Sequence, residues 1–391
     1  THLTPLSWGG AGAAAVSLAE SWDHDLSADA WWTSGSPPPH GMPSEAHEGL
    51  LAATEKVTGD SPKSTRDDWP FFCLPGATAA ILALLDGDET AKSLAALTVR
   101  PCGGVSDERE LLQVQGWSIS SVWRNDDVVL KISHPAWLAE PRLTAALAKL
   151  APGSVPAVIS HGVITGRGAQ PTAYLLRRRV IDDEPGADED EADKVNRSVA
   201  ALRALAELQL SASTRVDRLR AAGVVDRDPQ RTSGELARLW QVVTPHLGDD
   251  ERAALPGVDD KVRAGLERLA RTPPLVVHGD LHLGNVLKDQ RGEPQLIDWT
   301  DAAFAWPGVD LYTILSRLGP DEETRESVTT AYVAALGHEF EEAVRLGLEL
   351  APSYHALSYL RISDFLPREL AGIFANEVTR LVKRQLEVIA R

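Results

Sequence analysis

With 391 residues, 43% of them hydrophobic and 24% charged, the chain is long enough for more than one packed unit and has an ordinary globular balance, which argues against a fibre or a wholly disordered chain. A formal net charge of -17 repels phosphate backbones and speaks against a nucleic-acid partner, although eight of the twelve residues from Asp182 to Asp193 are acidic and read as one solvated loop. Cys73 and Cys102 are too far apart to form a CxxC unit, and the apolar run Ala79 to Leu85 falls well short of the roughly 20 residues that cross a bilayer. Ala13 to Val16 has no basic cluster before it, so no secretory signal and no membrane partner are expected, and the default location is the cytoplasm.

Residues 1–110 form an amino-terminal extension of unassigned role, in which Trp-containing segments alternate with turns such as Ser36-Pro37-Pro38-Pro39. Short helices are expected at Ala79 to Leu85 and Glu89 to Leu97. From Leu111 the texture becomes β-like, with runs at Leu111 to Gln115, Ser120 to Arg124, Val128 to Ser133, Ala157 to Ser160 and Ala173 to Val180. Asn125-Asp126-Asp127 suits a hairpin turn, and Ala139 to Leu150 has an amphipathic helical pattern. Three antiparallel strands, a helix and two more strands make the small lobe of a kinase-like fold, over 111–185. The remainder, 186–391, reads as mainly helical, with helices at Asn196 to Gln209 and Thr232 to Val243 and one strand-rich island from Leu275 to Trp299. The fold class is therefore α+β and bilobal, a small antiparallel sheet followed by a helical lobe.

The island runs His278-Gly279-Asp280-Leu281-His282-Leu283-Gly284-Asn285, then a turn at Arg291-Gly292-Glu293-Pro294, then Asp298-Trp299. Carboxylates and a carboxamide at the ends of apolar runs suit phosphoryl transfer, where the protein must position an alcohol in line with a phosphate while a metal ion neutralises charge. An aspartate accepts the alcohol proton, and oxygen ligands from an Asn and a second Asp suit Mg²⁺. Asp280 and Asn285, with four residues between them, have the spacing of a kinase catalytic loop, and Asp298 stands where the later metal-binding aspartate is needed.

These residues resemble the signature of the aminoglycoside phosphotransferase and choline kinase-like family, and the resemblance extends from about Leu111 to the carboxyl end. It implies that Asp280 is the catalytic base, that Asn285 and Asp298 bind Mg²⁺, and that His278, Gly279 and His282 shape the loop. It further implies that Lys131 pairs with the phosphates of ATP, with GTP as an open alternative, and that Glu140 is its ion-pair partner. Gly116, Ser118, Ser120 and Ser121 lie where backbone N–H groups approach the β-phosphate. Asp310 resembles an aspartate that braces the loop. Asp301 has two readings, a cap on a following helix or an acceptor contact.

The resemblance places the acceptor against the carboxyl-terminal helices, which singles out Ser353 to Glu369. Two readings stay open there: a packed helix whose Arg361 and Asp364 pair at its surface, or a wall from which Asp364 or Glu369 meets the substrate. The expected partner is a small molecule with a free hydroxyl. An antibiotic of aminoglycoside, nucleoside or peptide type leads, metabolic acceptors such as amino sugars, choline or homoserine follow, and a non-catalytic nucleotide-binding regulator ranks last because Lys131, Asp280, Asn285 and Asp298 are all present.

Overall fold

The computed structural model describes residues 31–32, 71–72, 98–99, 110–116, 120–124, 127–133, 137–164, 172–180, 190–319, 321–365 and 368–390. The helices expected at Ala79 to Leu85 and Glu89 to Leu97 lie outside these residues. The chain divides into two compact units, one comprising Thr1–Arg142 with Ala157–Arg179 and the other Leu143–Pro156 with Val180–Arg391.

The first unit is organised by strands β1 (Glu110–Gly116), β2 (Ser120–Arg124), β3 (Val128–Ser133), β4 (Val158–Ile164) and β5 (Thr172–Arg178); helix α1 (Glu140–Leu150) follows β3, with its first turn in this unit and the rest, from Leu143, in the second. The sheet order is β1-β2-β3-β5-β4, all antiparallel, with the dipeptide Thr98–Val99 added parallel to β1 at the edge. Arg124 pairs with Val129 across the Asn125-Asp126-Asp127 connection, as a hairpin requires. β3 is central, and Val129, Leu130 and Ile132 are buried along it. Such a strand sets its neighbours' register, because a one-residue slip would turn every side chain to the wrong face.

The second unit is mainly helical: α2 (Glu191–Ser213), α3 (Val216–Ala222), α4 (Pro229–Val243), α5 (Asp249–Leu269), α6 (Val309–Leu315), α7 (Glu322–Leu336), α8 (Glu341–Phe365) and α9 (Arg368–Ala390). Three of them begin where an aspartate caps the helix: Asp190, Asp228 and Asp321 accept from the backbone N–H groups of Asp193, Arg231 and Thr324 at 2.8, 2.8 and 2.7 Å. Short strands carry the island: β6 (Val225–Asp226), β7 (Leu275–Val277), β8 (Val286–Lys288), β9 (Pro294–Leu296) and β10 (Ala303–Ala305). β10 lies between β7 and β6, while β8 and β9 form a hairpin whose turn is closed by Gly292 at φ 82°. The largest fully buried side chains here are Trp299, Trp306, Tyr332, Tyr354 and Phe304, so Trp299 of the island and Trp306 beyond it serve packing.

The entry to α6 depends on a close approach of two backbones. A Cβ on Gly347 of α8 would lie 1.9 Å from the Pro307 carbonyl oxygen, and one on Gly308, at φ 99°, would lie 2.5 Å from that of Val344. Replacement of Gly347 by Ala forces backbone to move and is expected to destabilise the protein by about 1–3 kcal/mol. Gly234, inside α4, has nothing within 4 Å of its added Cβ. Gly234→Ala is expected to stabilise by about 0.8–1 kcal/mol, the difference in helix propensity. Urea unfolding of both variants checks the pair; a Gly347→Ala protein as stable as Gly234→Ala would refute the close-approach argument.

Candidate functional site

In the first unit, Lys131 and Ser133 alternate with Leu130 and Ile132 along β3 and so share one face. The Lys131 ammonium donates to Glu140 Oε1 at 2.7 Å, and the Ser133 hydroxyl donates to Oε2 at 2.8 Å. The Glu140 side chain is 1% exposed and that of Lys131 11%, so the pair is largely withdrawn from water and each charge needs the other. Glu140 stands in the first turn of α1, where the helix dipole favours an anion. Ser133 was not singled out from the sequence; its signal is the two-residue offset from Lys131. Gly116 and Ser121 face each other in the β1–β2 register, Ser120 is buried in β2 opposite Ser133, and Ser118 lies outside the described residues.

In the second unit the 278–285 loop is tied down through its main chain. Asp310, buried in the first turn of α6, accepts the N–H of His278 on Oδ2 and that of Gly279 on Oδ1, both at 2.8 Å. Thr313, one turn later, donates to the Leu281 carbonyl at 2.5 Å. His278 is fully buried against Trp299, with ring centroids 4.6 Å apart, and its Nε2 meets the Ile297 carbonyl at 2.7 Å. Gly279, at φ 86°, admits the Asp301 carbonyl where an added Cβ would be 2.3 Å away. Thus the 278–285 and 298–301 segments are locked together by backbone contact.

Asp280 and Asn285 are coupled directly. The Asn285 side-chain N–H donates to the Asp280 carbonyl at 2.9 Å, which leaves its Oδ1 as the acceptor end. Asp298 is the one described non-glycine residue with positive φ, at 64°, a conformation that Asp tolerates better than most residues. Thr300 donates to the Asp298 carboxylate. The Asp280 carboxyl is pushed well above the usual carboxylate range, first by withdrawal from water and then by the charges of Asp301 and Asp298, with Arg317 acting against them. Its side chain keeps 48% of its surface, so water moderates the first of these causes. Three carboxylates in one field call for a cation. Among the described residues no cluster of three or more His, Cys, Asp or Glu forms a closed cage. An Asn oxygen and one carboxylate fit an ion such as Mg²⁺ that draws further ligands from phosphates and water.

The other sequence-derived candidates divide. Asp301 is followed by β10 rather than a helix, and α6 begins at Gly308 without a side-chain cap, so the capping role expected of Asp301 is corrected. The expected pairing of Arg361 with Asp364 is corrected too. Arg361 donates to Glu235 at 2.6 Å and Asp364 accepts from Arg238 at 2.8 Å, both partners lying on α4. His355 and Ile362 are buried on the inner face of α8, and burial lowers the His355 pKa to about 4, so that ring is neutral. Glu369 belongs to α9, and its side chain lies outside the described set. Tyr359, which recurs with His355 and Ile362 at helical spacing in the Ser353 to Glu369 segment, has a phenol pushed upward by burial and by the charges of Asp280 and Asp301, and its ring stacks on Phe374 at 5.7 Å.

The grip of Asp310 generates a test. Burial raises its pKa from 3.8 to about 6, outweighing the N–H groups that favour the charged form. A carboxyl whose pKa is higher folded than unfolded contributes stability below about pH 4 and loses it as pH rises to about 6. The stability advantage of wild type over Asp310→Asn is therefore expected to narrow across that window. Amide hydrogen exchange at 278–281 is expected to accelerate in the variant at every pH. Unchanged exchange there would remove Asp310 from its bracing role.

The sequence profile of the phosphotransferase enzyme family matches residues 111–348. No curated protein matches the chain. Among solved structures, the GDP and kanamycin complex of APH(2")-IIia is similar at 18% identity and TM-score 0.50, covering 72% of this chain and 94% of that one. The GDP complex of wild-type aminoglycoside 2'-phosphotransferase-IIIa is similar at 18% identity and TM-score 0.50, over 72% and 93% of the two chains. A choline/ethanolamine kinase family protein from Mesorhizobium loti gives 18% identity, TM-score 0.49, and 76% and 95% coverage. These likenesses are of fold, and with the family profile spanning 111–348 of 391 residues, the chain belongs to the phosphotransferase enzyme family, small-molecule kinases of protein-kinase-like fold that act on alcohol groups.

Proposed function

We propose that this protein transfers the γ-phosphoryl group of ATP, with Mg²⁺, to a hydroxyl of a small molecule, and that the acceptor is an antibiotic of aminoglycoside, nucleoside or peptide type. The observation that supports this reading most is the locked loop, in which Asp280, Asn285 and Asp298 are supplied by two segments in backbone contact. Asp280 takes the proton of the acceptor hydroxyl, which attacks as the bond to the leaving ADP breaks. Asn285 Oδ1 and the Asp298 carboxylate hold the metal ion, whose charge, when bound, neutralises the phosphate oxygens and the crowded carboxylates. Lys131, aligned by Glu140, supplies the cation for the nucleotide phosphates. Asp301, the carboxylate of the three assigned neither to the metal ion nor to proton transfer, favours an acceptor that carries amines. The solved APH(2")-IIia complex contains kanamycin, which makes it a first compound to assay.

The test is ADP release with Mg·ATP against kanamycin, nucleoside and peptide antibiotics, amino sugars, choline and homoserine, with phosphorus NMR of any product. Phosphorylation of choline, homoserine or an amino sugar alone would replace the antibiotic assignment by a metabolic one. Asp280→Asn is expected to keep the fold and Mg·ATP binding while turnover falls by a factor on the order of 10² or more. Near-normal turnover would remove Asp280 as the base.

Asp298→Asn removes the ligand's charge while keeping the backbone conformation, because Asn also tolerates the left-handed region. Weaker Mg²⁺-dependent nucleotide binding is expected by calorimetry, and unchanged affinity would sink the assignment. Lys131→Ala is expected to raise the Michaelis constant for ATP.

A further inference from the structure

His282 is assigned nothing in the chemistry above, yet its ring is held from two sides. The Gly284 N–H donates to its Nδ1 at 3.0 Å. Gly284 makes room for this, since a Cβ there would lie 2.8 Å from the ring Cε1 and 2.9 Å from Nδ1. A ring nitrogen that accepts a hydrogen bond carries no proton, so the single proton of the neutral imidazole belongs on Nε2. Nε2 is the atom turned towards Asp280, 3.7 Å from Oδ2. That distance is longer than a hydrogen bond, and catalytic contacts of this length tighten when substrate fills the site.

Among the described residues, the other hydrogen bonds of Asp280 are to its main chain. Its N–H lies 3.4 Å from His278 Nδ1, and its carbonyl accepts from Asn285. Neither selects which carboxylate oxygen faces the acceptor, and the 48% exposure of the Asp280 side chain leaves it room to turn.

We propose that His282 is a positioning residue for Asp280: its Nε2–H engages Oδ2 and reserves Oδ1 for the proton of the acceptor hydroxyl. That proton passes to Oδ1 as the new O–P bond forms and the bond between phosphorus and the ADP oxygen breaks. The proposal rests on Asp280 being the base.

Two substitutions divide the ring into its halves. H282N keeps an acceptor where Nδ1 stands and has nothing at Nε2; H282Q reaches the Nε2 position with an N–H and gives up the acceptor for Gly284. If His282 positions Asp280, kcat falls about tenfold or more in H282N with the Michaelis constant for Mg·ATP unchanged, as for other residues that orient a catalytic group, and H282Q retains most of it. The assay uses kanamycin, or the panel compound that is phosphorylated. If the ring merely props the loop through Gly284, the order reverses, and a reversed order or equal losses overturn the proposal. Nitrogen NMR of the full-length protein with labelled histidine gives a readout free of turnover. The Nε2–H tautomer is expected at mildly alkaline pH, and the Nδ1–H tautomer overturns the proposal. Failure of the phosphotransferase reading shows differently, as no phosphorylated product with any compound of the panel, and failure of Asp280 as base as an Asp280→Asn protein that turns over like wild type; both leave the tautomer measurement unaffected.

Discussion

Asp310 places two carboxylate oxygens under the amide groups of His278 and Gly279, and the 278–285 loop takes its shape from that grip. Buried amides without partners cost about 1–3 kcal/mol each, so a loop with this course could not run through the interior unless something met them. α6 meets them from its first turn and holds the Leu281 carbonyl through Thr313. The helix in turn is seated by the glycine contacts of Gly308 and Gly347 with α8. A chain of backbone approaches therefore links α8 to the residues proposed for chemistry. None of these contacts tolerates an added methyl group without movement.

Charge makes the opposite demand. Asp280, Asp298 and Asp301 act on one another, and Asp280 is pushed above its ordinary range as a result. Left alone, such a group would lower the repulsion by taking up a proton. A bound cation removes the same repulsion while keeping the carboxylates charged. Lys131 and Glu140 solve a similar problem internally, each largely buried and each neutralised by the other, with Ser133 occupying the second Glu140 oxygen. The Lys131–Glu140 pair is complete by itself, whereas the three carboxylates, if they stay charged, are relieved only by a cation, the place given above to the proposed metal ion.

Much of this was legible in the sequence because it is local. The β2 and β3 boundaries follow from alternation and a turn, and the spacing of Asp280 from Asn285 is a property of one short loop. Helix ends were less legible: α2 begins at Glu191, inside the acidic stretch read as a solvated loop, because Asp190 caps it. Long-range pairs were not legible at all. Arg361 and Asp364 are three residues apart, and helical spacing suggested that they meet, yet each is paired across 126 residues with α4. Periodicity gives the face of a helix and not the partner brought to it. The position of Asp301 was misread for the same reason, since a short strand stands where a helix was expected. The expectation for Glu369 turns on a side chain outside the described residues.

The locked loop also separates what can vary from what cannot. His278, Gly279 and Leu281 spend their backbone groups on Asp310 and Thr313, and His278 spends its ring on Ile297 and Trp299. The Asp280 carboxylate keeps nearly half of its surface exposed, and with Asn285 and Asp298 it carries the chemistry proposed above. Tyr359 lies within the field of Asp280 but belongs to α8, whose contacts with the entry to α6 run through Gly347 and His355. Substitution of Tyr359 therefore changes the field around Asp280 without touching the hydrogen bonds that Asp310 makes to the loop.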